Sequence, residues 1–84
     1  MKLHILKLHE KYWDDVMSGR KPFEIRKNDR DFKVGDRLHF LKVVDGTAQD
    51  VNVNIFKVTY ILKDIPQYGL HPDYCILGIK EVER

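Results

Sequence analysis

The sequence predicts a mainly β fold with short helices, an α+β domain built as a small β-barrel of about five strands with a helix at one end. Three observations predict it. Short apolar runs recur along the chain, each bounded by Gly, Pro, Asn or Asp. A single stretch, His9 to Ser18, carries a clear amphipathic helical stripe. No long helical segment separates successive strands, which favours a closed or nearly closed barrel over a doubly wound parallel sheet.

The elements follow in order. Leu3 to Leu8 reads as a first strand, apolar on both faces, with His4 and Lys7 interrupting the run. His9 to Ser18 reads as a helix because Trp13, Val16 and Met17 stand at i, i+3 and i+4. Gly19 is its natural stop, and Glu10 and Arg20 complement the helix dipole. Pro22 drives Lys21 out of the helical region and opens a second strand, Phe23 to Lys27. Along that strand Phe23 and Ile25 share one face, directed to the core if the strand is regular, while Glu24 and Arg26 share the other.

Val34-Gly35-Asp36 reads as a turn into a third strand, Arg37 to Val44, with Leu38 and Phe40 inward and His39 outward. Asp45-Gly46 is a hairpin signal, with a loop expected to continue to about Asp50. Val51 to Lys63 reads as a long strand with a change of phase. Val51, Val53 and Ile55 have one parity and Phe56, Val58, Tyr60 and Leu62 the other, so a bulge or bend is expected near Ile55-Phe56. Asp64 to Asp73 is a Pro/Gly loop, and Tyr74 to Val82 is the last strand. These elements account for the apolar residues, so no persistent apolar surface patch is expected.

Residues 1–84 fit one domain, and the composition is that of an ordinary globular protein. A lone Cys75 excludes an internal disulfide and reads as a small core residue. The N-terminal apolar run is too short for a signal peptide, and no stretch reaches membrane-spanning length, so a cytoplasmic location with no membrane partner is expected. His4, His9, His39 and His71 are scattered without ligand spacing, so no metal and no cofactor is expected. No nucleophile elbow, P-loop or dinucleotide fingerprint is present.

The net charge of +2 is small, but its placement is uneven. Arg20 to Arg37 holds seven basic and four acidic residues, a local +3, against −1 for the rest of the chain. This reads either as a solvated mixed-charge loop or as a footprint for phosphate. Within it, Gly19-Arg20-Lys21-Pro22-Phe23-Glu24-Ile25-Arg26 places Lys21, Glu24 and Arg26 beside a helix terminus, a rim suited to a polar, anionic ligand.

Ser18 to Arg26, followed by Phe32-Lys33-Val34-Gly35-Asp36-Arg37-Leu38-His39-Phe40, resembles the ASCH domain, whose pattern is Gly-x-Lys-x-x-Glu-x-Arg and then a Val-Gly-Asp turn into a strand. The ending Tyr74 to Lys80 resembles a small bacterial and phage branch of that family. The resemblance covers nearly the whole chain. It implies the PUA-like barrel and a role in binding RNA or a nucleotide in a cleft between the helix and the motif strand. One ASCH subgroup of similar size hydrolyses the acetyl amide of N4-acetylcytidine with a lysine, a threonine and a later glutamate. Lys21 matches the lysine, Glu24 stands at the threonine's place, and the loop Asp64 to Asp73 offers no glutamate.

Three functions therefore stand open: an RNA- or nucleotide-binding module, an amidohydrolase acting on an N4-acylated cytidine with Lys21 and Glu24 as its catalytic pair, and a protein-interaction module. Lys21 reads as a phosphate or carbonyl contact, or as a surface lysine. Glu24 and Arg26 read as acceptor for an exocyclic amine and as phosphate or ring contact, or as a surface ion pair. Arg20 and Lys27 flank the rim as further phosphate contacts or solvated charge. Among the aromatics Trp13 belongs to the core stripe, and Tyr12 and Tyr74 are possible stacking surfaces. Tyr68, in the Pro/Gly loop, is the preferred one.

Overall fold

The computed structural model describes residues 1–82. They form six strands and one α-helix: β1 (Leu3–His9), α1 (Glu10–Met17), β2 (Phe23–Lys27), β3 (Arg37–Val44), β4 (Thr47–Gln49), β5 (Phe56–Leu62) and β6 (Tyr74–Glu81), with a 3₁₀ turn at Pro66–Tyr68. The strands make one sheet in the order β1-β3-β5-β6-β2, with β4 attached to β3. Only β1 and β3 run parallel; the other pairs are antiparallel. The sheet curls into a half-barrel rather than closing, so the fold is mainly β, α+β, with α1 packed on β1 and β3. No helix among the described residues is long and apolar enough to cross a membrane.

Local chemistry explains the boundaries. His9 caps α1 by accepting the Lys11 N–H on Nδ1, and Glu10 in the first turn suits the helix dipole. Ser18 caps the other end, and Gly19, at φ 83°, turns the chain left-handed where a side chain would be strained. Asp45 and Gly46 both have positive φ, and Val44 pairs with Thr47. The hairpin is thus a two-residue turn, and the loop expected to reach Asp50 is replaced by β4.

The phase change expected near Ile55-Phe56 is the start of β5, not a bulge within a longer strand. Asn52 Oδ1 accepts the Asn54 N–H, and His39 contacts both Asp50 and the Asn54 carbonyl, so residues 51–55 are held as irregular chain beside β3. The bulge lies further on, between Val58 and Tyr60, where β5 slips against β6.

The core comprises Leu6, Leu8, Trp13, Val16, Phe32, Leu38, Phe40, Phe56, Val58, Cys75, Leu77 and Ile79. Each large apolar side chain fully buried there contributes about 1.5–3 kcal/mol. Burial pushes the Cys75 thiol up, as befits a packing residue.

Two strands correct the expected faces. β1 is not apolar on both sides: His4, Leu6 and Leu8 point inward, and Leu3, Ile5 and Lys7 outward. In β2 the phase is inverted. Phe23 and Ile25 are exposed, while Glu24 is buried and Arg26 half-buried. β2 ends the sheet path, so its inner side looks into the gap toward β1, where charges with partners are accommodated. As a result, apolar side chains are left on the outer face, contrary to the sequence expectation.

His4 tolerates burial because of Asp36. Its Nε2 lies 2.8 Å from Asp36 Oδ2, and its ring packs on Phe32. Asp36 also accepts the backbone N–H groups of Lys2 and Lys33, each at 3.1 Å. The His4 hydrogen bond, aided by those two N–H groups against the opposing effect of burial, lowers the Asp36 carboxyl to about 2. The carboxylate ties the start of β1 to the turn entering β3.

Asp36→Ala strands the buried His4 ring donor and two part-buried backbone N–H groups and is expected to lower stability by about 3 kcal/mol, read from the urea midpoint. Because the folded pKa is depressed, the Asp36 contribution is fully present above pH about 4 and is lost as pH falls through about 2. Acid titration of stability in wild type and Asp36→Asn should differ in that window and run parallel above it.

Candidate functional site

The two ends of the sheet, β1 and β2, share no backbone ladder. Side chains bridge them instead. Arg26 Nη1 donates to the Lys7 carbonyl at 2.8 Å, and Arg30 Nη1 donates to the Ile5 carbonyl at 3.1 Å. Above this seam lies a cleft of about 460 Å³, lined by Lys7, Leu8 and His9 at the end of β1, Tyr12 of α1, and Lys21, Glu24, Ile25 and Arg26.

The chain reaches the cleft by bending. Lys21 N–H donates to the Asp15 carbonyl at 2.8 Å after the helix has ended, and Pro22 then sets the chain into β2. Lys21 is thereby released from strand alternation, and its ammonium meets the Glu24 carboxylate at 2.5 Å. It also stands 4.9 Å from the Tyr12 ring centroid and 5.2 Å from that of Phe23, within cation–π range. Arg26 Nη1 approaches the second Glu24 oxygen at 3.5 Å. Lys21, Glu24 and Arg26 therefore converge, as their spacing suggested.

Their exposure is graded. The Glu24 side chain is only 5% exposed, while Lys21 and Arg26 keep 20% and 23%. A nearly buried anion thus holds two partly open cations at the cleft. Lys21 has donors beyond the one given to Glu24, and the Arg26 guanidinium has N–H groups beyond those facing Lys7 and Glu24. The lining carries three Lys/Arg cations against one carboxylate, so the cleft is net positive. Among the described residues no cluster of three His, Cys, Asp or Glu forms a metal-ligand set.

Other expected site residues stand apart. Arg20 is exposed and engaged through Nε and Nη2 with Asp15. Lys27 falls on the outer face of β2 with Phe23 and Ile25. Tyr68, 81% exposed on the 3₁₀ turn, is not among the cleft residues. Tyr12 supplies the aromatic wall instead. Its sequence signal was its position beside the apolar stripe of α1, at the stripe's edge rather than within it. Lys7, His9 and Ile25 carried no local signal, because their approach depends on the curl of the sheet.

Residues 3–79 match the family described as Domain of unknown function (DUF3850). The chain belongs to that family. It is 39% identical over 71 residues to an "Uncharacterized 12.9 kDa protein in GpA 3'region" of Escherichia phage P2, a match covering 82% of this chain. The match spans 65% of the length of that phage relative. The fold is similar to the crystal structure of hypothetical protein PH0355, with a TM-score of 0.63 over 98% of this chain and 100% of that one, at 18% identity.

Glu24→Gln removes the anion that two cations share and is expected to cost about 1–3 kcal/mol in chemical denaturation. Glu24→Gln combined with Lys21→Met should recover part of that loss, because one of the two facing cations is then gone.

Proposed function

We propose that this domain is a non-enzymatic module of the ASCH, PUA-like kind that holds RNA or a nucleotide in the seam cleft. The observation that carries this reading is the meeting of Lys21, Glu24 and Arg26 at the cleft with donor capacity unused. Lys21 and Arg26 offer N–H groups to a phosphate, and Glu24 has lone pairs left to accept from an exocyclic amine. Tyr12, partly exposed beside Lys21, offers a ring face for a base.

Calorimetric titration with CMP, AMP, GMP and UMP at low salt tests it. Binding should weaken with added salt, and Lys21→Ala should weaken every ligand. UMP lacks the exocyclic amine, so it should bind about 5–150-fold more weakly than CMP. Equal affinities for the two would remove Glu24 from base recognition, and no binding by any of the four or by hairpin RNA would remove the proposal.

A second reading is favoured by the Lys21–Glu24 contact, which sets an ammonium and a carboxylate together within a cleft. In an amidohydrolase acting on N4-acetylcytidine, Glu24 would take a proton from water as it attacks the acetyl carbonyl. Lys21 would stabilise the oxyanion. The C–N4 bond then breaks, N4 takes the proton, and acetate and cytidine leave. Mass spectrometry should detect cytidine with wild type and none with Lys21→Ala; equal background from both removes this reading.

A further inference from the structure

We propose that the outer face of β2, β6 and β5 is a platform on which single-stranded nucleic acid stacks, a surface that borders the seam cleft at Phe23 and Ile25 but extends away from it to Tyr60, Leu62 and Tyr74 and rests on its own observations. The register defines the face. Phe23 pairs with Gly78, which pairs with Tyr60; Ile25 pairs with Ile76, which pairs with Leu62. These rows lie opposite the buried Cys75, Leu77 and Ile79, so they point away from the core. Tyr60 is 64% exposed, and Phe23, Ile25, Leu62 and Tyr74 are exposed as well.

Charge selects the occupant. Lys57 pairs with Lys80 at one end of the face, and Lys27 pairs with Tyr74 at the other. None of the outward positions on these paired rows holds an Asp or Glu. A second copy docked through its equivalent face would set cation against cation, since a two-fold interface must be self-complementary. A polyanion with flat apolar rings fits both features: its phosphates meet the lysines and its bases meet the aromatic rings.

The geometry suits bases in particular. Gly78 has no side chain and lies between Phe23 and Tyr60, which stand two strand spacings, about 9–10 Å, apart on this face. A Cβ on Gly78 would stand 2.9 Å from Thr59 Oγ1 and 3.4 Å from Tyr60 Cβ, because the bulge brings residues 59 and 60 over it. Glycine at 78 is what lets the bulge bring Thr59 and Tyr60 over β6 while Tyr60 stays 64% exposed. Tyr74 lies four residues along β6, about 13–14 Å away, a span for two or three bases. A rigid duplex buries its base faces and has no use for these rings.

Fluorescence anisotropy with a labelled oligouridine single strand of about ten nucleotides, and with a duplex of equal length, tests the platform. The single strand should bind at low salt more tightly than the duplex. Tyr60→Ala and Tyr74→Ala should each weaken it about 5–150-fold. Lys80→Ala should reduce the salt slope by about one. Circular dichroism should show all three variants folded, and CMP affinity in the cleft should be unchanged by Tyr60→Ala. Single-strand binding that depends on Tyr60 while CMP fails to bind upholds the platform and removes the cleft reading. Absence of single-strand binding, loss on Lys21→Ala and Glu24→Gln but not on Tyr60→Ala, or a wild-type dimer in sedimentation that Tyr60→Ala converts to monomer each overturns the platform.

Discussion

The curled sheet has two ends, and they meet without a backbone ladder. Arg26 and Arg30 supply the missing link by donating to carbonyls of β1. Such side-chain bridges satisfy the edge without closing it. Arg26 is oriented in turn by Glu24, and Glu24 is matched by Lys21. The cleft exists because this seam is bridged by long side chains and not by adjacent strands. A fully closed barrel would have no room for it.

Two buried carboxylates show how burial alone does not define a ligand site. Asp36 is saturated by its own scaffold: His4, the Lys2 N–H and the Lys33 N–H all point at it. Its low pKa reports a structural knot. Glu24 is almost as buried, but its partners are flexible cationic side chains that open onto a cleft. Donors on long side chains can turn from a carboxylate toward a ligand; backbone N–H groups in a turn cannot. The two sites differ in what surrounds the anion, not in the anion.

β2 contributes to both surfaces through simple alternation. Glu24 and Arg26 face the seam, while Phe23, Ile25 and Lys27 face outward. An end strand of a half-barrel can do this because its inner side borders a gap instead of packed core. The charged residues then acquire partners across the gap, and the apolar ones remain on the surface together with those of β5 and β6.

Much of the local structure was legible in the residues themselves. Gly19 and Pro22 bracket the helix end and the entry to β2, since only backbone geometry decides those positions. Asp45-Gly46 marked a hairpin, and the Lys21, Glu24, Arg26 spacing marked three groups able to meet. The inward side of β2, the burial of His4 and the replacement of Tyr68 by Tyr12 at the cleft were not legible. Each depends on which distant strand lies alongside: β1 opposite β2, Asp36 beside His4, α1 over the seam. Local propensity sets where strands begin and turn, whereas the face a strand buries is set by partners tens of residues away, and only the curl of the sheet brought those partners together.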